Sequence, residues 1–394
     1  MDMDIDPRAS GIIEAELVIN NVDIDWSTVI EFLPDVDGEM GVETMTVAME
    51  INPSVTALGY IVFSVESVSV TNTGFSFSAS GPWDEIADVV VDVEGMVWDM
   101  VAEAVEDAVY DTVPDLLNDS LGDVRLVQDF EAFDNHYEIY ASVGAVDVDE
   151  SGIAIHMRTR VLPDVVYGIA ADGDGPSGYP AFNYGLPTWG AGTSGSNLAL
   201  NTDFINQVLF AFFKGGLMNR TLSADDLGLD TATIGLLLPG LTDMIIETEP
   251  LLPPVARPRD GDDEWEYELQ LGDVHVAVYN GSTDAEDLYM SLYVSTVAPM
   301  GLSAGPDGSS LGLELGEPEV KVDVVATSSA YRVSTESTET LFTDLMPLFL
   351  PEITGAIGEV PLPSIGGFVI SDVSTSMTGS GPTEGFFLLS GDLE

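Results

Sequence analysis

Apolar and polar residues alternate with period two over residues 11–80. The pattern passes through Glu14-Ala15-Glu16-Leu17-Val18-Ile19, Thr44-Met45-Thr46-Val47-Ala48-Met49, Ile61-Val62-Phe63-Ser64-Val65 and Gly74-Phe75-Ser76-Phe77-Ser78. Such alternation predicts an antiparallel β meander, with turns at Gly38, Pro53 and Gly59. At Trp83 the period changes. Ile86, Val90, Val93, Val97, Met100, Ala104 and Ala108 recur at spacings of three and four, and most of the acidic residues fall off that stripe. A helix is expected over about 83–119, kinked at Gly95 and Pro114, and roughly 50 Å long at 1.5 Å per residue. Strand patterns return over 121–162, including Tyr137-Glu138-Ile139-Tyr140-Ala141 and Gly152-Ile153-Ala154-Ile155-His156-Met157.

The stretch 171–197 reads as a loop or junction, rich in Gly, Ser, Thr and Asp. Asn201-Thr202-Asp203 then caps a helix carrying Phe204, Ile205, Val208, Leu209, Phe212 and Phe213, which ends near Gly215-Gly216. A second β region is expected over 265–335, followed by an apolar helix from Leu341 to about Gly358. Strands at Phe368-Val369-Ile370 and Gly385-Phe386-Phe387-Leu388-Leu389 close the chain. The order is meander, long helix, junction, helix, meander, helix and final strands. It predicts an α+β fold repeated twice, with long apolar-faced helices laid on twisted antiparallel sheets.

Charge narrows the partners. Of 394 residues, 68 are Asp or Glu and 10 are Lys or Arg, a formal net charge of −58. Phosphate recognition needs clustered basic residues, so nucleic acid and anionic membrane surfaces are poor partners. A neutral, apolar or cationic partner, or a metal ion, is favoured instead. With 45% hydrophobic residues the chain is too apolar to be a disordered acidic tail. The Asp and Glu excess with two lysines, Lys214 and Lys321, suits a protein kept soluble at high salt.

Absence of cysteine excludes disulfides and thiol chemistry. No apolar run reaches the length of a membrane-spanning helix. The start, Met1-Asp2-Met3-Asp4-Ile5-Asp6-Pro7, lacks the basic and apolar regions of an export signal. Three groups of acidic residues suggest Ca²⁺: Asp172-Gly-Asp174 with Asp164, Asp35-Val-Asp37-Gly, and Asp260-Gly-Asp262-Asp263-Glu264. None completes an EF-hand loop, and solvated acidic loops explain them better, so no metal or cofactor is assigned. His136, His156 and His275 stand singly, no Gly-x-Ser-x-Gly elbow occurs, and enzymatic activity is not expected.

Three stretches resemble the bactericidal/permeability-increasing protein family within the tubular lipid-binding superfamily. One is the long helix running into Leu116-Leu117-Asn118 and the strands to Leu162. Another is Leu198-Ala199-Leu200-Asn201-Thr202-Asp203-Phe204-Ile205-Asn206-Gln207, followed by Gly215-Gly216-Leu217. The third is the helix at 341–357 leading into Val360-Pro361-Leu362-Pro363-Ser364-Ile365, Val373 and the final strands.

The resemblance implies two elongated barrels joined by a central sheet in a boomerang shape. An N-terminal barrel would span 11–165, a junction and central sheet 166–197, and a C-terminal barrel 198–394. It implies a lipid carrier or transfer protein acting outside the cytoplasm, in the periplasm, at the outer surface or secreted, with its export signal absent from this chain. Low lysine and no cysteine favour a bacterial source. Acyl chains or sterol-like ligands would lie against Val93, Val97, Met100, Val101, Ile205, Leu209, Phe212, Phe213, Leu345 and Phe349, and membrane contact would be transient. Two departures stand out: the meander begins by Gly11 where the family opens with a helix, and the cationic tip and disulfide of the bactericidal member are missing. Capture of lipopolysaccharide by charge is therefore not implied. The alternative is an acidic surface or scaffold protein with filled barrels and Ca²⁺-binding loops.

Overall fold

In the computed structural model the described residues are 2–28, 36–79, 93–121, 126–150, 152–182, 187, 196–226, 230, 235, 238–259, 265, 267–304, 310–327, 336, 338, 340, 343, 360–361, 370–377 and 385–393. Contacts divide the chain into two units. The first comprises Met1–Arg125, Ser142–Arg158 and Gly190–Gly192; the second comprises Leu126–Ala141, Thr159–Trp189 and Thr193–Glu394.

In the first unit, β1 (Asp2–Pro7), β2 (Ile13–Thr28), β3 (Val36–Val55) and β4 (Ile61–Thr73) form an antiparallel sheet in chain order, and β5 (Ser76–Ala79) pairs with β3. Ile13, Ala15, Leu17 and Ile19 of β2 lie across from Ile51, Met49, Val47 and Met45 of β3. All eight join one apolar cluster, so period-two alternation sets the buried face. Past Asn21 the parity changes: Val22 faces Val42 and belongs to the same cluster. Asn21 itself has φ +55, a left-handed conformation that Asn tolerates better than most residues. In β4 the register shifts between Ser67 opposite Glu50 and Val65 opposite Ile51, leaving Glu66 as an extra bulged residue. The bulge keeps Phe63 and Val65 on the same apolar cluster as Val68 and Val70. Gly59, at φ +81, makes the β3–β4 turn as expected, whereas Gly38 and Pro53 lie inside β3 rather than at turns.

One long helix, α1 (Val93–Leu121), covers this sheet. Pro114 lies inside it and removes one i→i−4 hydrogen bond, to the carbonyl of Tyr110.

The second unit is built on a seven-stranded sheet. Its path is β10 (Arg220–Ser223), β11 (Met244–Pro250), β13 (Tyr267–Asn280), β14 (Leu288–Ala304) and β15 (Leu311–Leu315); β12 (Val255–Pro258) pairs with β13 and β16 (Glu319–Thr327) with β14. A second sheet joins β17 (Ile370–Met377), β18 (Phe386–Leu393) and β9 (Ser196–Asn201). A third joins β6 (Leu126–Ala132), β7 (Asn135–Asp149) and β8 (Gly152–Pro163), and β7 and β8 each contribute residues to both units. Two helices complete the described elements, a five-residue α2 (Gly168–Asp172) and α3 (Thr202–Lys214), beside a short 3₁₀ turn at Ala285–Asp287.

These elements correct the expected fold class. Strand predominates, and the α-helices among the described residues have 29, 5 and 13 residues. The α+β layout of two barrels wrapped on several long helices is not formed: the protein is mainly β. The physical reason is the length of the strands, 16 residues in β2, 20 in β3, 14 in β13 and 17 in β14. Parity changes and bulges interrupt their alternation, so the sequence shows shorter strands than form. β10, β11 and β12 were not expected either. Of the helix expected at 341–357, Thr343 alone is among the described residues, and it is helical.

Candidate functional site

Helix α1 is held to the sheet from one side. Near its start, Trp98 packs edge-on against Phe75, ring centroids 5.5 Å apart. At its middle, the Tyr110 hydroxyl donates to the Glu66 carbonyl at 3.4 Å. That carbonyl belongs to the bulged residue of β4, whose backbone the strand ladder does not pair. Near its end, Asn118 accepts from the Phe63 N–H at 2.8 Å and donates to the Phe63 carbonyl at 3.4 Å. All three attachments run to β4 or to Phe75, which follows it.

Between these pins the stripe facing the sheet is Trp98, Ala102, Val105, Val109, Val113 and Leu117. It is rotated from the predicted stripe of Val93, Val97, Met100, Ala104 and Ala108. Both stripes keep spacings of three and four, so no signal in the sequence separates them. Val97 and Val101 are half-buried beside the sheet-facing stripe, Met100 is 62% exposed, and Met96 is 63% exposed. For Val93 the side chain is outside the described set. From Val97 to Val113 the positions on roughly half of the helix circumference carry no charge. The other half carries Asp99, Glu103, Glu106, Asp107 and Asp111.

No described side chain of α1 is fully buried. The sheet residues of the same cluster behave alike: Leu17, Ile19 and Val22 of β2, and Phe63, Val65 and Val68 of β4, are half-buried. Deeper residues such as Met45, Val47 and Met49 are closed to solvent. Among the described residues, helix and sheet thus form two apolar walls that meet along β4 and stay partly open elsewhere. The opposite face of this sheet is of another character. A depression of about 250 Å³ there is lined by Asp4, Asp6, Glu14, Glu16 and Glu50 around Arg8. Arg8 holds Asp6 at 2.9 Å and Glu14 at 2.5 Å.

In the second unit the corresponding helix is sealed. Ile205, Leu209, Phe212 and Phe213 of α3 are buried in a core shared with the sheets. Phe212 sits 5.2 Å from Tyr137 and 5.3 Å from Phe133, ring centroid to centroid. The polar residues of α3 fasten other segments to it. Asn201 accepts from the Asp203 N–H, Asp203 accepts from the Phe182 N–H at 2.8 Å, and Thr202 donates to the Gly385 carbonyl at 2.8 Å. Asn206 is buried, accepting from the Ala256 N–H at 2.7 Å and donating to the Ala256 carbonyl at 3.0 Å. The run Asn201 to Asn206 is therefore a set of structural fasteners. Leu345 and Phe349 lie outside the described residues.

The remaining candidates are placed apart from one another. His136 reaches Asp129 at 3.7 Å, His156 reaches Asp147 at 2.8 Å, and His275 meets the Ser291 hydroxyl at 2.8 Å. Asp164, Asp172 and Asp174 are exposed, and Asp35 and Asp260–Asp263 are outside the described residues. Among the described residues no group of three or more His, Asp or Glu is arranged to hold a metal ion, and no helix is long and apolar enough to cross a membrane.

No family model matches the sequence, and no curated protein matches it. Solved structures similar to this chain include a lipopolysaccharide binding protein, at 12% identity and a TM-score of 0.49, covering 100% of this chain and 85% of that one. Two others are P47 of Clostridium botulinum E1, at 8% identity, a TM-score of 0.32 and coverage of 100% and 88%, and P47 from Clostridium botulinum A2, at 9%, 0.30, and 99% and 91%. Each TM-score lies below 0.5, and neither membership of a family nor a function is read from these likenesses.

Proposed function

We propose that this protein binds the hydrocarbon part of a lipid between α1 and the apolar face of the first unit's sheet, carrying or transferring it without catalysis. One observation supports the reading: α1 has an uncharged half-circumference from Val97 to Val113 and no fully buried side chain among those described, over a sheet whose facing residues are themselves half-buried. An amphipathic helix that only closed a core would bury its apolar stripe. Each CH₂ of a ligand placed there contributes about 0.8 kcal/mol, so an acyl chain can be held with no contact to its head.

The liners are Val97 and Val101 with Trp98, Val105 and Val109. Helix α3 lends no such support, because Ile205, Leu209, Phe212 and Phe213 are packed against protein atoms. For the second unit we favour a structural role. Action outside the cytoplasm rests on the sequence resemblance alone.

The test is native mass spectrometry of protein taken from a lipid-containing source, with organic extraction of what is bound. Excess mass that resolves into lipid, and that Val101→Trp removes while circular dichroism stays unchanged, is the expected result. A bare protein mass that persists after incubation with mixed phospholipids, fatty acids and sterols would sink the proposal.

A further inference from the structure

Resting on the extracytoplasmic location in that reading, and not on the groove, we infer that Asn280 carries an N-linked oligosaccharide. Asn followed two residues later by Ser or Thr, with no Pro between them, is the acceptor motif for such a group. The chain holds it at Asn118-Asp119-Ser120, Asn219-Arg220-Thr221 and Asn280-Gly281-Ser282, while Asn52-Pro53-Ser54 is excluded by its proline. So short a motif recurs by chance, and geometry has to choose among the three.

The sugar is joined to the side-chain nitrogen, which must be unengaged and face outward. At Asn118 that nitrogen donates to the Phe63 carbonyl at 3.4 Å, between helix and strand. At Asn219 it lies against backbone, 2.8 Å from where a Cβ on Gly168 would stand, and Thr221 is held in a ladder opposite Glu247. Asn280 is placed differently. It ends β13, and its Oδ1 accepts from the N–H groups of Thr242 and Asp243 at 3.0 and 3.2 Å and from the Thr242 hydroxyl at 3.2 Å. Backbone N–H donors are met only by the oxygen, so the orientation of the amide is fixed. Its Nδ2 then has no partner among the described residues and is open to solvent. The chain leaves the strand at this point: Gly281 has φ +102, and Gly281, Thr283 and Asp284 are exposed. Ser282 donates to Asp287 at 2.6 Å, which keeps the motif's hydroxyl in the same turn.

The transfer is carried out by an enzyme of the host cell on a lipid-linked sugar phosphate. Nδ2 bonds to the anomeric carbon, the bond from that carbon to the phosphate oxygen breaks, the lipid phosphate leaves, and Nδ2 gives up one proton. A bulky, hydrophilic group is thereby fixed on a surface turn of the second unit.

Protein isolated from its native source is digested, and the peptides spanning the three motifs are weighed by mass spectrometry. The peptide with Asn280 should exceed its sequence mass by a whole number of sugar residues, and those with Asn118 and Asn219 should not. Ser282→Ala should abolish the added mass, and Ser282→Thr, which keeps the motif, should retain it. Asn280→Gln should also abolish it, while native mass spectrometry still finds the lipid of the parent protein. A bare Asn280 in protein recovered outside the cell overturns the inference and leaves the groove reading standing. A bare Asn280 in protein found only inside the cell overturns it together with the location. Sugar on Asn118 or Asn219 in place of Asn280, or added mass that survives Asn280→Gln, overturns it as well.

Discussion

At Gly215 one missing methyl decides whether the second unit's core closes. The residue follows α3 with φ −83, a conformation open to any amino acid, so backbone freedom is not what calls for glycine. Space is: a Cβ there would fall within the Tyr137 hydroxyl and lie 2.6 Å from Cζ and 2.8 Å from Cε1 of the same ring. Tyr137 cannot withdraw, being fully buried with Phe130 stacked at 5.2 Å and Phe212 edge-on at 5.2 Å. Asn135 adds a bond from its amide to the Gly215 carbonyl at 3.0 Å. Gly215→Ala should therefore destabilise the protein by about 3 kcal/mol through overpacking. Tyr137→Phe, which deletes a buried hydroxyl with no hydrogen bond of good geometry, should alone cost little. In the double variant it should recover only part of the loss, because the ring carbons remain too close. Urea unfolding of the four proteins checks this, and an alanine variant within about 0.5 kcal/mol of the parent would refute it. The glycine pair was visible in the sequence as a helix terminator. That Tyr137, 78 residues earlier, requires it was not, because packing partners distant along the chain leave no local pattern.

The helix α1 was legible as an element and not in its orientation. Its apolar spacing allows two adjacent stripes, and sequence alone does not say which one touches the sheet. The sheet decides, through Phe75 against Trp98, the bulge carbonyl of Glu66 against Tyr110, and the backbone of Phe63 against Asn118. A bulge is a property of two strands in register, so its free carbonyl could not be foreseen from one strand's residues. In α3 the reverse holds. Its cap Asn201 and apolar run Phe204 to Phe213 were readable, but their role was not, since buried core and ligand wall share one composition. Asn118 is where this difference can be measured. Its amide replaces a strand partner for Phe63, and Asn118→Ala leaves both groups of that half-buried backbone unmatched. The expected cost is about 1–2 kcal/mol. Hydrogen exchange should quicken at Phe63 and along the last turns of α1, while amides of α3 keep their protection. Uniform acceleration in both helices would mean that Asn118 is not a local pin.

At the scale of the whole molecule, charge acts on everything the elements build. A formal charge of −58 over 394 residues is set against few internal counter-charges. Arg8, Arg220 and Lys321 form ion pairs mostly at the surface, and such pairs contribute little. Carboxylates even stand side by side on one sheet face, where Glu14 is opposite both Asp6 and Glu50. Like charges directly across a ladder oppose pairing. Composition alone indicated this repulsion; the strand register locates part of it. Raising salt shortens the Debye length from about 10 Å at 0.1 M to about 3 Å at 1 M, which removes most repulsion between neighbouring strands and across the acidic half of α1. Ordinary proteins with balanced surfaces show only small effects over this range, whereas this one should gain stability steeply before levelling off. Thermal melts in KCl from 0.1 to 2 M test the point, with Glu50→Gln, which leaves the Arg8–Glu14 pair in place, as the local control. That variant should melt higher than the parent at 0.1 M and converge with it at 2 M. A melting temperature indifferent to KCl would show instead that the apolar cores hold the sheets together regardless of the charge they carry.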